Sequence, residues 1–289
     1  MKATFSCSRP TALRSSGAFL VYLASGALAL AATYEWGFSG DLNAVLGNGL
    51  LEYADSQSQT LTTFGATDGS TVPNINGQQA TFLRVPAFAA LANGLNLTLN
   101  STAPNGGGAY VNQYSFVFDL LSPGSINWTP LFNTDPANAN DADCYIAPDG
   151  SIGIGALGYS SAGRIAPNTW YRVAVVADLG AGNVSYYVNG NSVLNRTGGS
   201  LLDGRFALYS NQDLGPDLRL FNEGDTSGQY THELLVSSLL VSDTALSASQ
   251  VAAFGGPAAG GVLVPEPGTL ALLALGGLGL GFWLRRRSA

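Results

Sequence analysis

The chain has 289 residues, 46% of them hydrophobic, and a formal net charge of −7. Its charges are segregated: residues 33–264 contain six arginines and no lysine against eighteen acids, a net −12, while the other six basic residues lie near the two ends. Such a surface excludes nucleic-acid binding, repels anionic lipid and attracts divalent cations.

At the N-terminus, Lys2, Arg9 and Arg14 precede a soft apolar stretch from Gly17 to Leu30, and Ala29 and Ala31 form an A-x-A pattern. This predicts a secretory signal over residues 1–32, cleaved after Ala31 or Ala32. Cys7 leaves with it, so Cys144 is the one mature thiol and no intramolecular disulfide can form. Cys144 precedes Tyr145 and Ile146 and reads as a buried strand residue. Stability must come from a core, for which about 230 residues suffice.

From Tyr34 onward, short apolar stretches alternate with glycine and asparagine. Asn-Gly at 48–49, 76–77, 93–94, 105–106 and 189–190, and Asp-Gly at 68–69, 149–150 and 203–204, supply the positive φ that tight hairpins need. Strands are predicted at Ala80–Pro86, Asn96–Asn100, Tyr114–Leu121, Pro130–Phe132, Cys144–Ala147 and Ile152–Ala156. The clearest segment is WYRVAVVADLGAGNVSYYVNGNSVL, residues 170–194. There Tyr171, Val173, Val175 and Ala177 fall on one face and Arg172, Ala174, Val176 and Asp178 on the other. LGAGN and Asn189-Gly190 then turn the chain twice, giving three consecutive antiparallel strands. Further strands are expected at Phe206–Ser210, Arg219–Asn222 and Glu233–Val241. Ser247–Phe254 is the one good helix, with Ser247 and Gln250 as a capping box and Gly255 as its stop. Residues 257–264 read as a flexible spacer.

The end of the chain is VPEPGTLALLALGGLGLGFWLRRRSA. As a helix, Thr269–Leu284 would span about 24 Å, slightly short of a hydrocarbon core of about 30 Å, with the arginines at the cytoplasmic face. More than ten short strands in one unit imply two packed sheets, an all-β antiparallel jelly-roll sandwich with a C-terminal transmembrane helix.

Two resemblances follow from these residues. Pro265, Glu266 and Pro267, the apolar run, and Arg285, Arg286 and Arg287 resemble the PEP-CTERM sorting signal of Gram-negative bacteria. That resemblance implies export, transient retention in the inner membrane, and processing by an exosortase-type membrane protease. Trp170-Tyr171, the Val-Ala-Val-Val strand, Tyr-Tyr-Val-Asn-Gly, and the closing HELLVSSLLVSDTALSASQVAAFGG are similar to laminin-G-like or concanavalin-A-like domains over roughly residues 35–256. This implies a curved two-sheet jelly roll with a ligand surface on the concave face or rim. Residues 34–71 match poorly and read as an insertion or an outer strand.

Glucanases of this fold carry two glutamates around an aspartate on one strand. The nearest match, Glu223-Gly-Asp225, lacks the second glutamate, and Glu35, Glu52 and Glu233 stand outside any such pattern. His232 is the only histidine, so multi-histidine zinc sites are excluded by count. The sequence therefore reads as a non-enzyme. Oxygen ligands crowd the stretch TDPANANDADC and the region of Asp213. Asp135, Asp141, Asp143 and Asp213 are the candidate calcium ligands, although Asp and Asn are also the ordinary turn formers. For sugar stacking, Tyr110, Trp128 and Tyr159 lie in polar loops and are the candidate carbohydrate-binding aromatics. The expected protein is an exported surface or matrix component that binds polysaccharide or another surface partner; the alternatives are a purely structural matrix component with no discrete ligand and, more distantly, a glycan-active enzyme.

Overall fold

The computed structural model describes residues 33–99, 104–134, 143–198, 201–208, 218–222 and 232–263. The first elements are β1 (Thr33–Trp36), β2 (Leu50–Tyr53), α1 (Ser56–Leu61), β3 (Thr63–Ala66), β4 (Thr81–Val85) and β5 (Leu95–Thr98). The centre supplies β6 (Gln113–Leu121), β7 (Thr129–Asn133), β8 (Asp143–Ile146), β9 (Ile152–Ile154) and β10 (Gly158–Tyr159). Then come β11 (Tyr171–Asp178), β12 (Asn183–Val188), β13 (Asn191–Thr197), β14 (Leu218–Leu220), β15 (Leu234–Ser242) and α2 (Ala248–Phe254).

These strands form two antiparallel sheets. The first runs β13-β12-β11-β6-β15-β4-β3, and the second β10-β9-β8-β7-β14-β5-β2. Strand β15 pairs along one side with β6 and along the other with β4 at Leu234–Val236, then with β1 at Leu239–Ser242. Between the sheets lie the inward residues that alternation assigns: Phe116, Phe118 and Leu120 of β6, Val173, Val175 and Ala177 of β11, Leu218 and Leu220 of β14. Phe116 of the first sheet stacks on Phe132 of the second at 4.8 Å between ring centroids, an offset contact worth about 1 kcal/mol beyond its buried area.

The hairpins follow local chemistry. Asn189 and Gly190 both adopt positive φ, 49° and 76°, and turn β12 into β13. Ser247 and Gln250 form the expected reciprocal capping box, and Gly255 caps α2 at φ 62°.

Three expectations change. Of the two alternatives for residues 34–71, the insertion falls and the outer strand holds: β3 and β2 end the first and second sheets, and Tyr34 and Trp36 are buried in the core. The strands LLEY and TFGA carry no clean apolar–polar alternation to mark them. No strand forms over Phe206–Leu208. These three residues are buried in succession, and Leu208 makes a single bridge to Val111; residues 209–210 lie outside the described residues.

The third change concerns the outer face of the first sheet. Val117, Ala174, Val176, Tyr187 and Leu240 are apolar there, and Leu246, Val251 of α2 and Val262 cover them. The flexible spacer expected at 257–264 is therefore, over residues 257–263, part of the packed fold. Small residues suit it because the chain must lie flat on a sheet. A second cluster, with Phe82, Leu121, Trp170 and Leu235 against Val72 and Ile75, continues the cover.

The signal at 1–32 and the segment 264–289, with its expected span 269–284, lie outside the described residues. Among the described residues no helix is long and apolar enough to cross a membrane.

Candidate functional site

The outer face of the second sheet carries the side chains that the core does not use. Cys144, Ile146, Ile152 and Ile154 point into the core, so the intervening Tyr145 and Gly153 face outward. The ladder places Pro130 beside Tyr145, Tyr145 beside Gly153, and Gly153 beside Tyr159. Two tyrosines thus flank a glycine. Trp128, immediately before β7, stands edge-on to both, with ring centroids 5.7 Å from Tyr145 and 5.6 Å from Tyr159.

Gly153 is required by close approach. A Cβ there would lie 2.2 Å from the Gly158 carbonyl oxygen and 2.8 Å from Tyr159 Cα. Arg196 of β13 holds the β9–β10 turn by donating from Nε to the Leu157 carbonyl at 2.7 Å. The aromatic group is therefore set by strands from both sheets.

Beside it runs a polar row. Glu52, Asn96, Arg219, Asn133 and Asp143 occupy successive register positions across β2, β5, β14, β7 and β8. Arg219 donates from Nη1 to the Leu91 carbonyl at 2.9 Å. Burial pulls its guanidinium below the ordinary value, against the opposing charge of Asp55. Asn222 donates to the carbonyls of Ala90 and Asn93, both at 2.9 Å. At the β2 edge, Asp41, Leu42, Leu50, Glu52, Tyr53 and Phe64 line a cleft of about 720 Å³. From β10 to β2 the sheet takes six interstrand steps, about 29 Å at about 4.8 Å each.

Of the residues predicted for sugar binding, Trp128 and Tyr159 are brought together and Tyr110 is not. Tyr110 packs against the core, and its backbone N–H donates to the Asp203 carboxylate at 2.9 Å. Asp203 also accepts from Ala109 N–H and Asn112 Nδ2, and these bonds, Asn112 first, hold its carboxyl below the usual range. Tyr145 was missed as a site residue. Its signal was the alternation of β8: if Cys144 and Ile146 are inward, Tyr145 is outward.

Of the calcium candidates, Asp135, Asp141 and Asp213 lie outside the described residues, and Asp143 opens β8. Glu223 and Asp225 also lie outside them. Among the described residues no three His, Cys, Asp or Glu side chains cluster as metal ligands. His232 lies just before β15 with Nε2 3.1 Å from the Pro123 carbonyl oxygen.

The sequence matches no curated protein. In structure the chain is similar to domain 4 of AbnA, a GH43 extracellular arabinanase from Geobacillus stearothermophilus, in complex with arabinotriose. The identity is 19%, over 78% of this chain and 97% of that one, with a TM-score of 0.41. It is also similar to the binding domains of botulinum neurotoxin serotype D (13% identity, 78% of this chain and 50% of that one, TM-score 0.47) and serotype G (13%, 76% and 49%, 0.47). It spans about half the length of those toxin domains. Residues 263–287 match the PEP-CTERM protein-sorting motif: this is an exported chain that carries a C-terminal signal for exosortase processing.

Proposed function

We propose that this exported protein binds a neutral extracellular polysaccharide on the outer face of its second sheet. The observation that carries the reading is the pair of half-exposed aromatics Trp128 and Tyr159 packed on Tyr145 on that face, with the half-exposed Asn96 and Arg219 and the exposed Glu52 further along the same sheet. Aromatic faces stack on sugar rings, and planar amides and guanidinium groups pair with hydroxyls. Among the described residues, the outer face of the first sheet is covered at Val117, Ala174, Val176, Tyr187 and Leu240 by Leu246, Val251 and Val262. A net −12 over residues 33–264 favours an uncharged glycan over a polyanion.

In this reading the domain binds without cleaving. Glu35 is buried, Glu233 is paired with Arg84, and Glu52 faces Asn96 at the sheet edge. Calcium, held by Asp135, Asp141, Asp143 and Asp213, is proposed as a stabilising ion.

A glycan array with neutral and uronic-acid polysaccharides tests the proposal on residues 33–263, beside Trp128→Ala and Tyr159→Ala. Binding to neutral glycans that falls at least tenfold in both variants, with melting little changed, supports it. Binding that survives both variants, or no binding to any glycan, refutes it; the second outcome leaves a structural role in the matrix.

A further inference from the structure

The last described residues, Gly255–Leu263, have the composition of a linker but the contacts of a structural element. Three charged side chains are buried beneath them: Asp119 of β6, Arg172 of β11 and Glu35 of β1, none more than 4% exposed. Arg172 grips Asp119 with two bonds, Nε to Oδ1 at 2.7 Å and Nη2 to Oδ2 at 2.6 Å. Its remaining donors reach the carbonyls of Phe254 at 2.6 Å and Gly261 at 3.1 Å. The Ala258 N–H donates to Asp119 at 3.2 Å, and the N–H groups of Val262 and Leu263 donate to Glu35 Oε1 at 2.5 and 3.3 Å. From the side, Asn76 Nδ2 donates to the Pro257 carbonyl at 2.9 Å.

Gly261 fits this arrangement in two ways. Its φ is +103°, and a Cβ would stand 2.6 Å from Glu35 Oε1. The strap ends at the residue where the sorting motif begins, since that motif matches from residue 263. Its receptor, Glu35, lies two residues into β1, directly after the expected signal cleavage site. The start of β1 and the start of the sorting motif therefore meet at one place on the outer face of the first sheet.

We infer that Glu35 and the Asp119–Arg172 pair dock the strap so as to set the upstream limit of C-terminal processing. The membrane protease cuts after Leu263, and the released protein keeps residues 255–263 as part of its fold. Cleavage within the strap would require lifting backbone groups from buried charges, and its peptide bonds lie against a sheet where a protease cannot bind them as an extended chain. Only five residues, 264–268, separate the docked strap from Thr269, at most about 20 Å of extended chain. With Thr269–Leu284 as the membrane span that the sequence leads one to expect, the folded domain would stand next to the membrane until cutting. This inference rests on the sorting motif and is independent of the glycan reading.

The test uses the full chain expressed in an exosortase-bearing host. Intact mass and C-terminal peptide mapping of the released wild-type protein should place its C-terminus after Leu263. A C-terminus at any residue before Leu263 overturns the inference without any variant. Released wild type, Glu35→Gln and Gly261→Val are then digested with proteinase K, with near-UV circular dichroism confirming the fold. Glutamine keeps an oxygen acceptor for both N–H groups, so Glu35→Gln should resist cleavage within 255–263 as wild type does. Gly261→Val should be cut there at least tenfold faster. Equal rates for wild type and folded Gly261→Val overturn the docking role.

Discussion

Replacing Arg172 by leucine removes both bonds to the Asp119 carboxylate and the donors to the Phe254 and Gly261 carbonyls. The fully buried Asp119 is left with the Ala258 N–H, 3.2 Å away, and the neighbouring Ser238 hydroxyl. Burial already pushes this carboxyl above its ordinary value of 3.8, and Arg172 opposes that push. Without the arginine, the cheapest escape is protonation. Bringing an aspartate of ordinary pKa near 3.9 to the neutral form costs about 4 kcal/mol at pH 7 and about 1.5 kcal/mol at pH 5, at 1.36 kcal/mol per unit. The two orphaned carbonyls add about 1 kcal/mol each at either pH. Arg172→Leu should therefore cost about 6 kcal/mol at pH 7 and about 3.5 at pH 5, a large part of a total stability of about 5–15 kcal/mol. Denaturant unfolding of residues 33–263 at the two pH values measures this. The double variant Asp119→Leu, Arg172→Leu buries no charge and should be more stable than Arg172→Leu alone at pH 7. A cost for Arg172→Leu that is equal at pH 5 and pH 7, or a double variant less stable than the single, refutes the argument.

Other outcomes follow from the same geometry. Glu35→Gln should flatten the pH profile of stability. Burial raises the folded-state pKa of Glu35 above 4.5, the N–H groups of Val262 and Leu263 and the Arg172 charge oppose that rise, and Asp119 adds to it. Wild type should thus lose stability relative to the glutamine variant as pH climbs from about 4.5 through the raised value, and a parallel pair of profiles would count against it. Gly153→Val should push β10 away from β9, move Tyr159 from Trp128 and weaken glycan binding at least tenfold; unchanged binding separates Tyr159 from the site. Asp203→Ala should lower Tm and remove the stability that wild type loses on acidification, because the lowered carboxyl protects only while ionised. Calcium should raise Tm by about 5–10 °C at a hundredfold excess over Kd, magnesium should not, and Asp141→Asn with Asp143→Asn should abolish the shift; equal melting in calcium and EDTA removes the ion.

Elements closed by neighbours in sequence were legible in the sequence. Strands β11, β12 and β13 follow from alternation and from Asn189-Gly190. Helix α2 follows from Ser247, Gln250 and Gly255, and the sorting motif from the order of Pro265–Pro267, an apolar run and three arginines. In each, the determining contacts lie within a few residues. Trp128 and Tyr159 could be singled out as loop aromatics, but their meeting through Tyr145 depends on the register of four strands. Glu35 reads as an isolated acid and residues 257–264 as a spacer, because the bonds that join Glu35 to Val262 and Leu263 span 227 and 228 residues of sequence. Small residues have the same composition whether the chain hangs free or lies flat on a sheet. Only the packed structure brings Asp119, Arg172 and Glu35 beneath them, and desolvated charges with no water to satisfy them make that stretch of chain part of the fold.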